Sequence, residues 1–323
     1  MRVLVIGGAG YIGSHAAHAL RRRNHQVRIY DSLVTGHSCL ADGFDLVVGD
    51  ISDAPLLSKA LQGVDAVMHF AAFAYVGESV RDPRKYFENN VRSALLMLNT
   101  VLDAGVKKFI FSSSCATYGM PEKVPIPDTT PRNPVNPYGA TKLCFEHALS
   151  AYDAAYGIRS VCLRYFNAAG ADESGRIGEL HDPETHLIPL ALQVAAGTNP
   201  YLTIFGNDYP TPDGTCIRDY IHVNDLAEAH VLAVEYLENG GKSECLNLGT
   251  GQGHSVKQVV EAVERITGRP VPCRIGTRRA GDPPILVADA SRARSLLGWR
   301  PSRTFDDCVR AAWNWHLKVT NAP

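Results

Sequence analysis

Arg2-Val3-Leu4-Val5-Ile6-Gly7-Gly8-Ala9-Gly10-Tyr11-Ile12-Gly13 follows directly on Met1. Its first five residues form a short apolar, β-branched run, which predicts a buried parallel strand. Glycines then fall at 7, 10 and 13, a G-x-x-G-x-x-G spacing, and a helical pattern covers residues 14–22. Glycine permits a tight turn and lets backbone N–H groups approach a pyrophosphate, which a helix N-terminus also favours. A second strand over residues 26–30 ends in Asp31. A carboxylate there can bond a ribose diol and would repel a 2′-phosphate, so NAD is expected rather than NADP. A sharp ligand-free turn would account for the glycines but not for Asp31.

Outward from this unit the alternation continues. Strands are predicted at 46–48, 66–70, 108–112 and 160–164, with helices at 53–61, 83–102 and from Tyr138 between them. Strands separated by helices imply right-handed crossovers and a doubly wound α/β parallel sheet of the Rossmann kind. Ligands of such sheets sit beyond the carboxyl ends of the strands. That makes Asp50, Ile51, Phe70, Ala71, Ala72 and Ser112 to Ser114 candidates for contact. After residue 166 the alternation loosens and Pro/Gly/Asp-rich loops appear, notably at 207–214. The expected division is a dinucleotide-binding domain over 1–166 and a smaller mixed α/β substrate domain over 167–323, with some later segments returning to the first. Residues 305–318, with Trp313 and Trp315, read as a capping helix whose aromatics belong to the core.

The chemistry points to Val135-Asn136-Pro137-Tyr138-Gly139-Ala140-Thr141-Lys142. Proline suits a first helical turn, and Tyr138 and Lys142 are four apart, on one helix face. A phenol is a weak acid, and a neighbouring ammonium or cationic cofactor ring favours its phenolate. Such a group can take a proton from an alcohol. Phe111-Ser112-Ser113-Ser114 ends a strand on the same sheet edge, and a hydroxyl there can align the reacting alcohol. Which serine faces inward is open. Arg218 and Arg279 can hold a diphosphate bidentately, although a solvated arginine is the common case. His186 and His222 are possible metal ligands, but no matching His/Cys/Asp cluster is visible around them, so no metal is expected.

Composition narrows the rest. A formal net charge of -1 supplies no basic surface for nucleic acid. The eight cysteines contain no C-x-x-C pair, against a zinc knuckle or a disulfide framework. No apolar run suffices to cross a bilayer, and the opening strand leaves no room for a signal peptide, so a cytoplasmic address is expected.

The order of G-x-x-G-x-x-G, Asp31, the serine triplet, Tyr138-x-x-x-Lys142 and Leu163-Arg164-Tyr165-Phe166-Asn167 resembles the extended short-chain dehydrogenases/reductases. His69-Phe70-Ala71-Ala72, Val76-Gly77-Glu78-Ser79, Ile204-Phe205-Gly206-Asn207-Asp208-Tyr209-Pro210-Thr211, Arg218-Asp219-Tyr220-Ile221-His222-Val223 and Arg278-Arg279-Ala280-Gly281-Asp282 are similar to the UDP-glucose 4-epimerase branch. The resemblance implies interconversion of UDP-galactose and UDP-glucose. Tyr138 would remove the 4-hydroxyl proton, Ser114 would align that hydroxyl, and Lys142 would hold the nicotinamide ribose and lower the tyrosine pKa. Hydride would pass to tightly held NAD⁺ and return to the other face of a 4-keto sugar, with no net oxidation. Gly7, Gly10, Tyr11, Ile12, Gly13, Asp31, Asp50, Ile51, Phe70, Ala71, Ala72, Asn89, Ser112, Tyr138, Lys142 and Phe166 would face NAD. Ser114, Tyr138, Asn167, His186, Leu187, Phe205, Arg218, Arg279, Asp282 and Leu286 would face the UDP-sugar. A homodimer is expected, through two long helices.

Three departures bear on specificity: Ala74 where the branch often has lysine, His186 for an asparagine, and Leu286 for a tyrosine whose size limits N-acetyl sugars. UDP-N-acetylhexosamine or UDP-pentose epimerases remain alternatives. So do a UDP-glucuronate decarboxylase and, outside catalysis, an NAD-binding sensor. A 4,6-dehydratase is disfavoured because Ser114-Cys115-Ala116-Thr117-Tyr118 lacks the acidic pair its elimination needs.

Overall fold

Apolar strands flanked by amphipathic helices assemble as the alternation predicts. The computed structural model describes residues 1–279 and 282–320, so Ala280 and Gly281 of the Arg278–Asp282 motif lie outside the described residues. In chain order the first half contains β1 (Arg2–Ile6), α1 (Tyr11–Arg22), β2 (Gln26–Asp31), β3 (Asp45–Val48), α2 (Ala54–Ala60), β4 (Ala66–His69), α3 (Val76–Arg81), α4 (Pro83–Phe87), α5 (Ala94–Asp103), β5 (Lys108–Ser114), α6 (Pro137–Tyr156) and β6 (Arg159–Tyr165). The second half contains β7 (Asn167–Ala169), α7 (Leu187–Ala195), β8 (Leu202–Phe205), β9 (Ile217–His222), α8 (Val223–Glu238), β10 (Glu244–Leu248), β11 (Gly253–Ser255), α9 (Val256–Thr267), β12 (Cys273–Gly276), β13 (Ile285–Leu286), α10 (Ser291–Leu297) and α11 (Phe305–Thr320).

Seven strands form one sheet in the order β10-β6-β5-β4-β1-β2-β3. Every pairing in it is parallel. The strand order reverses between β1 and β4, the switch point beyond whose carboxyl ends ligands bind in doubly wound sheets. Two apolar layers cover the faces. Ala16, Ala17 and Leu20 of α1 join Leu226, Val231 and Val234 of α8 on one side. Leu57, Met97, Leu98, Phe145 and Leu149 cover the other. A third cluster, with Ile188, Leu192, Val259, Val263 and Val309, unites α7, α9 and α11. Helix α8 and strand β10 come after residue 166 in sequence and belong to the large sheet.

The helix expected over 83–102 is helical throughout but changes type. Between α4 and α5, Glu88–Ser93 is a π-helix. Within it Asn90 is buried and bonds both backbone groups of Phe73 at 2.9 Å and Thr141 Oγ1 at 3.3 Å. One wider turn swings that amide inward, a common device near functional sites. The sequence reading gives no element for α3, for strands β7 to β13 or for helices α8 to α10.

The first turn shows why its glycines are needed. Gly7 has φ +81°, and a Cβ there would meet Ala71 N at 2.5 Å. A Cβ at Gly13 would run into the Gly7 carbonyl. Gly13→Ala is therefore expected to destabilise the chain by about 1–3 kcal/mol, since rigid backbone must yield. Urea denaturation checks this, and an unchanged midpoint would contradict it. At Gly10 the nearest atom to an added Cβ is Gly7 O at 3.4 Å, so this position is open on the ligand side.

Candidate active site

Helix α6 is held in place at its first turn. Asn136 caps it by accepting from Gly139 N at 2.8 Å, and Pro137 occupies the first position. Ser79 Oγ accepts from Tyr138 N at 3.2 Å. Gly139 packs so closely on Ala116 that no Cβ would fit, which brings α6 against the short helix Cys115–Tyr118 that follows β5. Ser79, within a quoted motif but given no role from sequence, thus positions Tyr138.

Strand alternation separates the three serines. Ser113 points into the face beneath α6 and donates to Glu146 Oε1 at 2.6 Å. Ser112 hydrogen-bonds the Tyr165 hydroxyl. Ser114 stands beside Tyr138, so it is the serine placed for the reacting alcohol. Lys142 is buried, and its ammonium donates to Ser112 O at 2.7 Å, 5.8 Å from the Tyr138 ring centre. Serine, tyrosine and lysine therefore converge at the carboxyl end of β5.

The electrostatics differ from the simple expectation that Lys142 lowers the tyrosine pKa. Burial pushes Tyr138 up to about 12, with the Ser114 hydroxyl opposing it. Burial also pulls Lys142 down to about 7, opposed by Glu146 one turn along α6. The protein alone thus disfavours both charges; positive charge arriving at the cleft shifts the tyrosine toward phenolate.

The residues expected around a dinucleotide are arranged about the switch point. Gly10 is the N-cap of α1, whose first turn carries no acidic side chain and whose cap makes no side-chain bond. Asp31 is buried at the end of β2 and accepts from Ala9 N and Leu33 N, both at 2.9 Å. Burial raises its pKa while those two bonds oppose the shift. Tyr11 and Ile12 begin α1. Asp50 and Ile51 follow β3, Phe70 to Ala72 follow β4, and Phe166 follows β6. Asn89 lies in the π turn and bonds Asn90. This open helix end, glycine turn and strand-end acid fit a dinucleotide with a free ribose diol. Ala74 is exposed.

Three of the substrate candidates, Asn167, Arg218 and Leu286, lie on a smaller sheet. Asn167 of β7 and Leu286 of β13 flank β9, in register with Tyr220 and Arg218. Arg218 pairs with Asp282. Asp282 thereby fixes one side of the Arg218 guanidinium. Arg279 lies 4.2 Å over the Phe205 ring. Leu286 is buried with Cys115, Tyr118, Ile126 and Phe166, bridging the two groups of candidates. Leu187 opens α7, with His186 as its N-cap.

For His186 the sequence reading is corrected. A cluster does surround it: Glu179, His181 and Glu184, with one donor atom from each of the four within 4.8 Å of the others. The spacing along an irregular loop follows no familiar ligand pattern, which hid it. His222 instead caps α8 by accepting from Asn224 N at 3.1 Å.

Fold and site together define a dinucleotide-binding α/β protein of the short-chain dehydrogenase/reductase type. The chain belongs to the NAD dependent epimerase/dehydratase family, which it matches over residues 3–249. It is 50% identical to a UDP-glucose 4-epimerase of Halalkalibacterium halodurans, covering 98% of this chain and 96% of the relative. Among solved structures, the Brucella ovis UDP-glucose 4-epimerase in complex with NAD superposes with a TM-score of 0.94 at 51% identity, covering 97% of this chain and 98% of that one. A Stenotrophomonas maltophila UDP-glucose-4-epimerase with bound NAD and formylated UDP-arabinopyranose gives 0.97 at 44% identity, covering all of both chains.

Proposed function

We propose that this chain is an NAD-dependent UDP-glucose 4-epimerase that interconverts UDP-galactose and UDP-glucose. The observation that carries the reading is the convergence of Ser114, Tyr138 and Lys142 beside a glycine turn with a strand-end acid, with Arg218 on the facing sheet. Bound NAD supplies the redox half of the chemistry, reversible oxidation at sugar C4. Gly7 to Gly13 and Asp31 would hold its pyrophosphate and ribose, and Lys142 would hold its nicotinamide ribose. Tyr138 takes the 4-hydroxyl proton, returns it after the sugar has turned, and is aided by Ser114. Arg218 and Arg279 keep the diphosphate anchored throughout. Incubation with UDP-galactose, without added NAD, should yield UDP-glucose. Absence of any C4 epimer while UDP-galactose binds would defeat the proposal.

Leu286 supports a wider sugar range. It is smaller than tyrosine and sits between the Cys115 segment and β9. UDP-N-acetylglucosamine is expected to be epimerised, more slowly than UDP-galactose; Leu286→Tyr should abolish that activity and spare the hexose. Chromatographic resolution of the two N-acetyl epimers checks it, and failure under conditions that turn over UDP-galactose would reject it.

The assembly is read as a homodimer. Phe87 and Leu96 are exposed on the α4 and α5 face, where a second copy can cover them. Sedimentation tests this. Among the described residues no helix is long and apolar enough to cross a membrane, and a cytoplasmic setting in galactose metabolism fits the proposed substrates.

A further inference from the structure

We propose that Glu179, His181, Glu184 and His186 form a binding site for a divalent transition cation of the zinc type, at the rim of the proposed substrate site. Four residues in the pattern Glu-x-His-x-x-Glu-x-His aim two imidazole Nδ1 atoms and two carboxylates at one point. His181 Nδ1 lies 3.0 Å from Glu179 Oε1 and 3.8 Å from Glu184 Oε1. His186 Nδ1 lies 4.0 Å from Glu184 Oε1 and also contacts Glu179. An ion bonded at about 2.0–2.2 Å to all four would set its donors roughly 3–4 Å apart, so small adjustments close the site.

A second observation points to a ligand. His181 Nδ1 is a buried atom that approaches Glu179 and Glu184 at 3.0 and 3.8 Å without making a well-directed hydrogen bond to either. An unpaired buried polar atom is costly. Metal coordination satisfies it. The carboxylates are themselves well set: Glu184 Oε1 accepts from Thr185 N at 2.6 Å and His186 N at 2.8 Å, and Trp315 Nε1 holds the Glu179 carbonyl at 2.8 Å. Mixed imidazole and carboxylate donors suit Zn²⁺ and its first-row neighbours, whereas Mg²⁺ and Ca²⁺ prefer oxygen alone.

The loop so clamped runs from α11 contacts to the start of α7. Tyr75 reaches it through a 3.1 Å bond to Pro183 O, and His181 packs edge-on against Tyr11. The ion's role is to order this loop, so its main effect falls on stability.

The test uses the full chain after chelator dialysis, titrated with Co²⁺ and with Zn²⁺. One equivalent of Co²⁺ per chain should bind, with visible bands but no thiolate charge-transfer band. Zn²⁺ should raise the thermal midpoint and Mg²⁺ should not. The double variant H181A/H186A should lose that equivalent and the Zn²⁺-dependent rise. No uptake by the parent would overturn the proposal and leave a histidine–glutamate ion-pair network. So would a thiolate band, which would place the ion on cysteine, or full uptake by the double variant. Should the double variant misfold, the spectrum of the parent decides. These readouts need no sugar turnover, so they fail independently of the epimerase assignment.

Discussion

Tyr138→Phe is expected to lower turnover of UDP-galactose by about 10²–10⁴-fold, the usual contribution of a positioned acid–base group. The ring is retained, so packing against the Cys115 segment survives and only the hydroxyl is lost. Substrate affinity should change little, because the proposed diphosphate contacts, Arg218 and Arg279, lie on β9 and in a separate segment. The effect therefore belongs in kcat rather than KM. The physical basis is the cost of charge at this position: burial holds the phenol near 12, and Ser114 offsets only part of that. The protein keeps the group protonated until cofactor charge and Lys142 act together. Steady-state kinetics at saturating UDP-galactose, with retained NAD measured on the same sample, checks the prediction. Full activity in the phenylalanine variant would remove Tyr138 from the mechanism.

Glu146→Ala should be the most damaging single change to stability, at about 3–5 kcal/mol, the range for breaking a buried ion pair from one side. Arg164 and Glu146 are almost wholly buried, with side chains 1% and 2% exposed. The guanidinium meets both carboxylate oxygens, at 2.6 and 2.8 Å, and Ser113 donates to the same group at 2.6 Å. Removing the carboxylate strands a charge and a hydroxyl inside the sheet–helix interface. Replacing both partners by apolar residues, as in Glu146→Leu with Arg164→Met, should recover much of the loss. Urea titration of the three chains distinguishes these outcomes.

The same substitution reaches the site. Glu146 is the charge that opposes the burial-driven fall of Lys142 to about 7. Without it the ammonium loses its proton at lower pH. Milder Glu146→Gln should therefore move the alkaline limb of the pH–rate profile toward acid. An unshifted limb would mean that Lys142 is not coupled to Glu146.

Much of this was legible because it is local. Gly7, Gly13 and Asp31 are read from one strand–turn–helix–strand unit, and Tyr138 and Lys142 from one helix face. From the residues alone Ser114 could not be chosen over Ser112, because positions two apart on a strand share a face and only the tertiary partners, Tyr165 for Ser112 and Tyr138 for Ser114, separate them. The π turn was invisible because the partners of Asn90, Phe73 and Thr141, stand 17 and 51 residues away. The Glu179–His186 cluster was missed because its convergence depends on loop folding and on Trp315, far along the chain. The Arg218–Asp282 contact likewise joins residues 64 apart in sequence and needed the fold rather than a motif.

Strand β6 runs straight through Phe166 into β7, β9 passes without a linker into α8, and β10 leads back toward β11. From β13 the chain returns to the large-sheet layer as α10 and leaves it again as α11, so the polypeptide passes between its halves five times among the described residues. Wide jaw-like opening would have to bend all of these crossings together, so the proposed sugar nucleotide is expected to enter and leave by modest breathing of surface segments. A tethered keto sugar would then turn inside a cage of nearly fixed walls, which keeps it from escaping half-converted.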